Sequence, residues 1–313
     1  MRRGRRSTVA GEHRPVLLES VLAVLDPRPG QIVVDCTVGW AGHAVELLRR
    51  VGENGRVIGL DLDAENLTRA QERLGKVGQN FMLHQGNFAG LPAILAAEGL
   101  TTVDAILADL GMSSMQVDDQ ERGFSYMRDG PLDMRMDRSR GHTAAQLLAS
   151  ISKENLRQTL QELGDEPEAE KIAAAVVAAR RLKPIERSGE LSRLIMETIQ
   201  TGEKWQLHPA ANRWNIHPAA RTFQTLRILV NRELANLEQL LRVLPTCLGP
   251  GGKAVVISFH SGEDRRVKTA FRAGHRNGTY SNISPEPLLA SWDERADNPR
   301  ARSAKLRWAQ RSV

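Results

Sequence analysis

The chain reads as an α/β protein: an open, mostly parallel sheet with a helical domain inserted into it. Three observations predict this. Strand and helix patterns alternate through the first 109 residues. More than a hundred residues then separate the fourth strand from the next convincing one. What fills that gap has the period of helices, not of strands.

The elements follow in order. Ile32-Val33-Val34-Asp35 is an apolar run ending in an acid. Gly39 and Gly42 come next, then a helical pattern through Leu47 and Leu48. Val57-Ile58-Gly59-Leu60-Asp61 is a second run ending in an acid, followed by a helix over 64–74. Residues 81–83 form a third strand, then come Phe88 and a helix over 91–97; residues 103–108 form the fourth strand. A βαβαβαβ series implies parallel strands joined by right-handed crossovers. The next strand is 253–259 (KAVVISF), preceded by the turn GPGG at 249–252 and by one long helix expected over 222–244. Between them lie helical patterns at 144–148, 153–163, 168–182 and 190–201. The expected division is therefore a sheet domain at 13–116 and 216–313, with a helical domain inserted at 117–215. Residues 1–12 (MRRGRRSTVAGE) are expected to be a disordered basic arm.

The stretch from Asp109 to Asp137 is the least ordinary part of the chain. It starts where the fourth strand ends and shows neither period. Between Gly111 and Asp137 it holds six acids, three arginines and five of the eight methionines. A long irregular segment in a compact protein usually has a task, and ligands of open α/β sheets bind at the carboxyl ends of the strands. Met112, Phe124 and Tyr126 could bracket a ligand or pack on the inserted helices.

Bulk numbers set wider bounds. At 313 residues the chain can form two cores, and 41% apolar with 26% charged residues is ordinary for a globular protein. No run of eighteen apolar residues occurs, and nothing apolar follows the basic start, so neither a membrane span nor a secretory signal is expected. Cys36 and Cys247 lie in apolar surroundings without metal-ligand spacing. They read as reduced thiols of a cytoplasmic protein, and no metal site is expected. A net charge of +6 and a pI near 9.7 suit a polyanionic partner. Oligomeric state, monomer or homodimer, is not legible.

Asp35-x-x-x-Gly39-x-x-Gly42, followed by His43, places a flexible turn and a helix N-terminus beside strand one. Asp61, ending strand two, is placed to accept hydrogen bonds from a ribose diol. This pattern fits a nicotinamide cofactor and S-adenosylmethionine alike. The absence of GxGxxG argues against the first. So does the lack of a His or Tyr proton donor within ten residues of Asp109. A nucleotide-linked oxidoreductase is thus the weaker reading.

The run MSSMQVDDQERGFSYMRDGPLDMRMD at 112–137 resembles a signature of the 16S rRNA (cytosine-N4) methyltransferases, the RsmH or MraW family. HRPVLLES (13–20), HPAARTFQTLRILVNREL (217–234), GGKAVVISFHSGEDRRVK (251–268) and NPRARSAKLR (298–307) resemble further parts of it in the same order. The resemblance implies a Rossmann-like S-adenosylmethionine-dependent methyltransferase sheet with an inserted helical domain. It implies cofactor contacts at Ala41, Gly42, His43, Asp61, Phe88, Asp109 and Gln116. The implied reaction is N4-methylation of a cytidine in the decoding region of 16S rRNA in the small ribosomal subunit, cytidine 1402 in the usual rRNA numbering. Asp109 and Ser113 are the candidate catalytic residues. Because the 111–137 stretch carries a net charge of −3, phosphate contacts are expected elsewhere, at Arg221, Arg227 and Arg232, at His260 and Lys268, and at Arg300, Arg302 and Arg307. The chain departs from the family at Trp40 and Ala41, where the turn usually has glycine, at Cys36, at Gly262, and at 164–169 (GDEPEA). The departures at Trp40 and Ala41 support a second hypothesis, a non-catalytic relative that binds rRNA during subunit assembly.

Overall fold

The computed structural model describes residues 15–112, 114–199 and 217–313. The basic arm and Ser113 lie outside these residues. Two compact units emerge. One holds the chain up to Gly111 and again from Asn236; the other is Met112–Ala235.

The first unit begins with α1 (Leu18–Leu25), β1 (Ile32–Asp35), α2 (Gly42–Val51) and β2 (Arg56–Asp61). It continues with α3 (Ala64–Leu74), β3 (Phe81–Gln85), α4 (Leu91–Ala97) and β4 (Val103–Asp109). The apolar runs are strands because both faces of the sheet are covered. Their period of two is visible in the packing. Val33 and Val57 join the core on one face; Val34 and Ile58, one residue on, join the core on the other.

The helical unit holds α5 (Ser114–Asp118), α6 (Ala144–Ser150), α7 (Lys153–Gly164), α8 (Ala169–Leu182), α9 (Ser188–Ile199) and α10 (Ala220–Asn231). Its core is built from Leu148, Leu156, Leu160, Ile172, Val176, Leu191, Ile195, Phe223 and Leu226. Phe124, Leu132 and Met134 of the irregular stretch belong to the same core. That stretch is therefore a packed part of the unit. Buried Arg122 donates to the carbonyls of Arg135 and Met136, at 3.1 Å each. Leu132 N–H donates to Glu186 O at 2.8 Å, and Gly130 N–H to Ser188 Oγ at 3.0 Å. Tyr126 stacks on His217 at 4.5 Å between ring centres and meets Phe223 edge-on. Phe124 and Tyr126 thus follow the packing alternative.

The expected single helix over 222–244 is two helices, α10 and α11 (Glu233–Cys247). Arg232 between them is left-handed, with φ 53°. The break is tied in place by Asn231, whose Nδ2 donates to Met134 O and whose Oδ1 accepts from Met136 N–H. The insert is correspondingly wider than 117–215: α10 packs with α6 and α7.

The sheet resumes with β5 (Leu248–Ser258), α12 (Ser261–Arg276), β6 (Tyr280–Ile283), β7 (Leu288–Leu289), α13 (Trp292–Asp297) and β8 (Lys305–Arg311). Strand order is β3-β2-β1-β4-β5-β8-β6, with β7 paired to β8. Pairing is parallel from β3 to β5 and antiparallel between β5 and β8 and between β8 and β6. β8 comes latest in the chain yet sits inside the sheet. Between β1 and β4 the order of connection reverses, which opens a crevice at their carboxyl ends.

Of the glycines described in the helical unit, Gly130 has the least room, since a Cβ there would lie 1.9 Å from Gln120 O. Gly130→Ala is expected to cost about 1–3 kcal/mol of that unit's stability. Urea unfolding followed by circular dichroism checks it; an unchanged midpoint would contradict this packing.

Candidate active site

Three carboxyl groups collect at the strand ends flanking that crevice. Asp35 ends β1 and is buried, its Oδ1 accepting from Thr37 N–H at 3.1 Å. Thr37 Oγ1 in turn accepts from Asp109 N–H at 2.7 Å, which ties the end of β4 to the turn after β1. That turn crosses to β2: Val38 N–H donates to Leu60 O at 2.8 Å and Gly39 N–H to Asp61 Oδ2 at 2.9 Å. Asp61 Oδ1 accepts from Asp63 N–H at 2.8 Å and from Asn66 Nδ2 at 3.3 Å. Its Oδ2 carries a single internal hydrogen bond and so keeps acceptor capacity for a hydroxyl.

Ala41 opens α2 with φ 59°, the left-handed region. Its methyl group is fully buried and packs in the core. It takes no space from a ligand, but the conformation strains a non-glycine residue. Gly42 is also needed for packing. A Cβ there would lie 2.9 Å from Pro15 Cγ, so Gly42 admits the segment that leads into α1. That segment is pinned twice. His43 Nε2 lies 3.0 Å from Val16 O, and Leu17 N–H donates to Glu294 Oε1 at 2.6 Å.

A carbonyl only accepts, so His43 carries its proton on Nε2 and presents a bare Nδ1. That Nδ1 lies 3.7 Å from Asp109 Oδ2, beyond hydrogen-bond reach. Burial pushes His43 down to about 4, so it is neutral at pH 7. Asp109 moves the opposite way. Burial, with the nearby Asp35 and Glu263 carboxyls, pushes it up to about 8, against the pull of Arg300. Its Oδ1 is enclosed and has no hydrogen-bond partner. Burial also raises Asp35 to about 7 and Asp61 to about 6. An orphaned acidic oxygen on β4 and an acceptor on β2 together suit a ligand with a cationic end and a diol.

The other expected residues are distributed as follows. Phe88 is half-buried after β3, in a short turn of 3₁₀ helix capped by Asn87. Trp40 lies under the Arg69 guanidinium at 4.3 Å. Gln116 is buried on α5 in the helical unit. Two arginine expectations need correction. Arg307 is buried on β8, its Nε 2.6 Å from Asp264 Oδ1. Arg227 makes a two-pronged pair with Glu233, at 2.7 and 2.8 Å. Both guanidinium groups are spent inside the fold, where a phosphate could be reached only by breaking a buried pair. Arg221 donates to Asp165 O and Arg302 to Arg295 O; Arg302 is exposed. Sequence reasoning missed the closeness of Arg300 to Asp109 and the Glu294 pin, since neither has a spacing signal.

Strand order, glycine turn and acids at these strand ends define a Rossmann-like fold suited to a nucleoside-bearing cofactor. Comparison narrows the class. The sequence model of the MraW methylase family matches residues 10–312, and the chain belongs to that family. Its cofactor is S-adenosylmethionine. Ribosomal RNA small subunit methyltransferase H of Solidesulfovibrio magneticus is 42% identical over 318 residues, covering 96% of this chain and 95% of that protein. The protein of the same name from Trichlorobacter lovleyi is 43% identical, covering 96% and 98%. A solved S-adenosylmethionine-dependent O-methyltransferase from Thermotoga maritima aligns at 11% identity with a TM-score of 0.43, covering 97% of this chain and 69% of that one. No helix among the described residues is long and apolar enough to cross a membrane.

Two outcomes follow from the strained turn and the buried acids. Ala41→Gly is expected to stabilise the protein by about 0.5–1 kcal/mol, because the φ strain outweighs glycine's added chain entropy. A lowered melting temperature would contradict this. Asp109 keeps its proton in the fold up to about pH 8 but loses it near 3.8 when unfolded, so stability falls as pH rises through that window. Asp35 and Asp61 act with the same sign. Melting temperatures measured from pH 5 to 8 should decline, and less steeply in Asp109→Asn; parallel curves would refute the assignment.

Proposed function

We propose that the chain methylates N4 of a cytidine in the decoding region of 16S rRNA, in the small ribosomal subunit. The observation that carries this is identity of 42–43% with small-subunit rRNA methyltransferases along 96% of the chain. The position of Asp109 at the crevice gives the reading its chemistry. When bound, S-adenosylmethionine supplies an electrophilic methyl group on a sulfonium.

The residues divide the work by charge. Asp61 accepts from the ribose hydroxyls through Oδ2. The turn at 39–43 brings backbone close to the ligand, and Phe88 lies beside the adenine. Asp109 takes the cationic end of the cofactor's amino-acid part, which satisfies its orphaned oxygen. His43, neutral and fixed to Val16 O, holds the α1 segment over the turn and contributes no charge. Gln116 is a further proposed cofactor contact.

Cytosine N4 is a weak nucleophile because its lone pair is delocalised into the ring. The site must hold the amine in line with the methyl group and let a proton leave, with the base outside its stack. Ser113 is the proposed partner of the amine. Arg221, Arg300 and Arg302 are proposed to meet RNA phosphates; charge-assisted contacts of this kind position the substrate without reading sequence. The non-catalytic alternative, a relative that binds rRNA without the cofactor, is separated from this reading by calorimetric titration with S-adenosylmethionine; Ala41 N–H bonds Val38 O at 2.7 Å within the turn.

Transfer of labelled methyl from S-adenosylmethionine to 30S subunits, with the labelled base mapped, tests the reading. Label at N4 of one decoding-region cytidine is expected; label on another nucleotide, or none with folded protein, refutes it. A second measurement addresses Asp109. At pH 7 the arriving cation should expel its proton. Calorimetry in buffers of different ionisation enthalpy should therefore show proton release in the wild type and none in Asp109→Asn. That variant is also expected to bind cofactor about 10–100-fold more weakly, the range of one to two charge-assisted hydrogen bonds. Identical proton release in both proteins would exclude this role.

A further inference from the structure

Helix α12 sorts its charges by side. Its acids are used within the fold. Glu263 is buried and accepts from Phe259 N–H at 2.8 Å, while Asp264 is held by Arg307 and by Lys305. Among its cations, Arg266 pairs with Glu238 at 2.6 Å. Four others, Arg265, Lys268, Arg272 and Arg276, step by three, four and four residues, a spacing that puts them on one face. The arginines of this stripe are exposed and Lys268 is half-exposed. Among the described residues Arg265, Lys268 and Arg276 have no ion-pair partner. Arg272 reaches only Glu286, 3.7 Å away and itself 75% exposed.

The opposite face is clamped. Val267 and Phe271 are buried in the sheet's core, and Phe271 meets Tyr280 edge-on at 5.6 Å. Gly274 lies so near that ring that a Cβ would come within 2.5 Å of it. His275 Nδ1 lies 3.0 Å from Tyr280 O. A groove of about 340 Å³, lined by Thr269, Arg272, His275, Arg276 and Ile283, runs beside the stripe. Like charges three and four residues apart repel on a helix. A rigid helix that turns its acids inward and leaves its cations crowded outside is poorly built as a merely solvated surface.

We propose that this face of α12 is a docking track for the phosphates of one RNA strand, leading away from the methyl-transfer end of the sheet. The proposal rests on the reading that the chain acts on small-subunit rRNA. Geometry supplies the direction. β5 lies beside β4, and α12 starts three residues after β5 ends, so Arg265 stands at the end of the sheet that carries Asp109. Arg276 lies roughly 16 Å further along the helix axis, and successive cations are spaced by roughly 4.5–6 Å. That spacing is close to the separation of neighbouring phosphates along a strand. An anionic membrane fits less well, because the stripe offers no large apolar side chain to insert.

The test uses the full chain, a triple Arg265→Ala, Arg272→Ala, Arg276→Ala variant and the matching triple lysine variant. Binding to 30S subunits is measured by filter retention from 50 to 200 mM salt. The alanine variant is expected to lose at least 10-fold in affinity at the low-salt end. The slope of log affinity against log salt should become shallower by about 2, the value for three single-strand phosphates. The lysine variant should keep the wild-type slope, and both should keep wild-type cofactor affinity and melting temperature. An alanine variant with wild-type affinity and slope overturns the track. So does a lysine variant as weak as the alanine one, or stripe-dependent binding to anionic vesicles without stripe-dependent binding to 30S subunits. A wild-type protein that binds cofactor but never binds or methylates 30S subunits overturns the functional reading instead.

Discussion

The short link between Thr37 and Asp109 is the constraint on which the site depends. It joins the end of β4 to the turn after β1, at the place where the strand order reverses. Around it the fold gathers Asp35, Asp61 and Asp109 in surroundings that resist charge. Carboxyl groups so placed weaken the empty protein as they ionise. Their concentration at a crevice is the usual mark of a binding site, where perturbed acids are put to use. The apolar pairing of β1 with β2 and β4 holds the three strand ends in register so that the acids stay in place.

The sheet was legible because buried parallel strands must be apolar throughout and their acids fall at the ends. Asp35, Asp61 and Asp109 stand out in the sequence for that reason. The boundary between α10 and α11 was not legible. Both sides are helical, so the apolar period runs through Arg232 without a sign, and only the tertiary bonds of Asn231 mark the break. The segment from Met112 to Asp137 was visible as unusual, but its period failed to reveal its packing. Its order comes from scattered backbone bonds to distant residues, such as Leu132 to Glu186. Side-chain roles were the hardest to read. Arg307 and Arg227 share the composition of an RNA contact, yet Asp264 and Glu233 claim them. The closeness of Gly42 to Pro15 had no sign in the sequence either.

Three acids of the sheet unit, Asp35, Asp61 and Asp109, sit at strand ends, while others such as Glu53, Glu72 and Glu286 are exposed. Many basic groups lie outside, and a net +6 is left to act at a distance. On the proposed function, the strand-end acids serve the cofactor and the exposed cations serve the RNA.

The place of β8 has a consequence for how the molecule is made. Among the described residues β6 pairs only with β8, and β8 follows every other strand in the chain. Until β8 is made, β5 is an open edge, α12 has part of its packing surface missing, and the partner that neutralises Asp264 has not been synthesised. Vectorial synthesis therefore leaves the protein incomplete to a late stage. Long-range pairing of this kind slows folding and lengthens exposure of an unpaired edge.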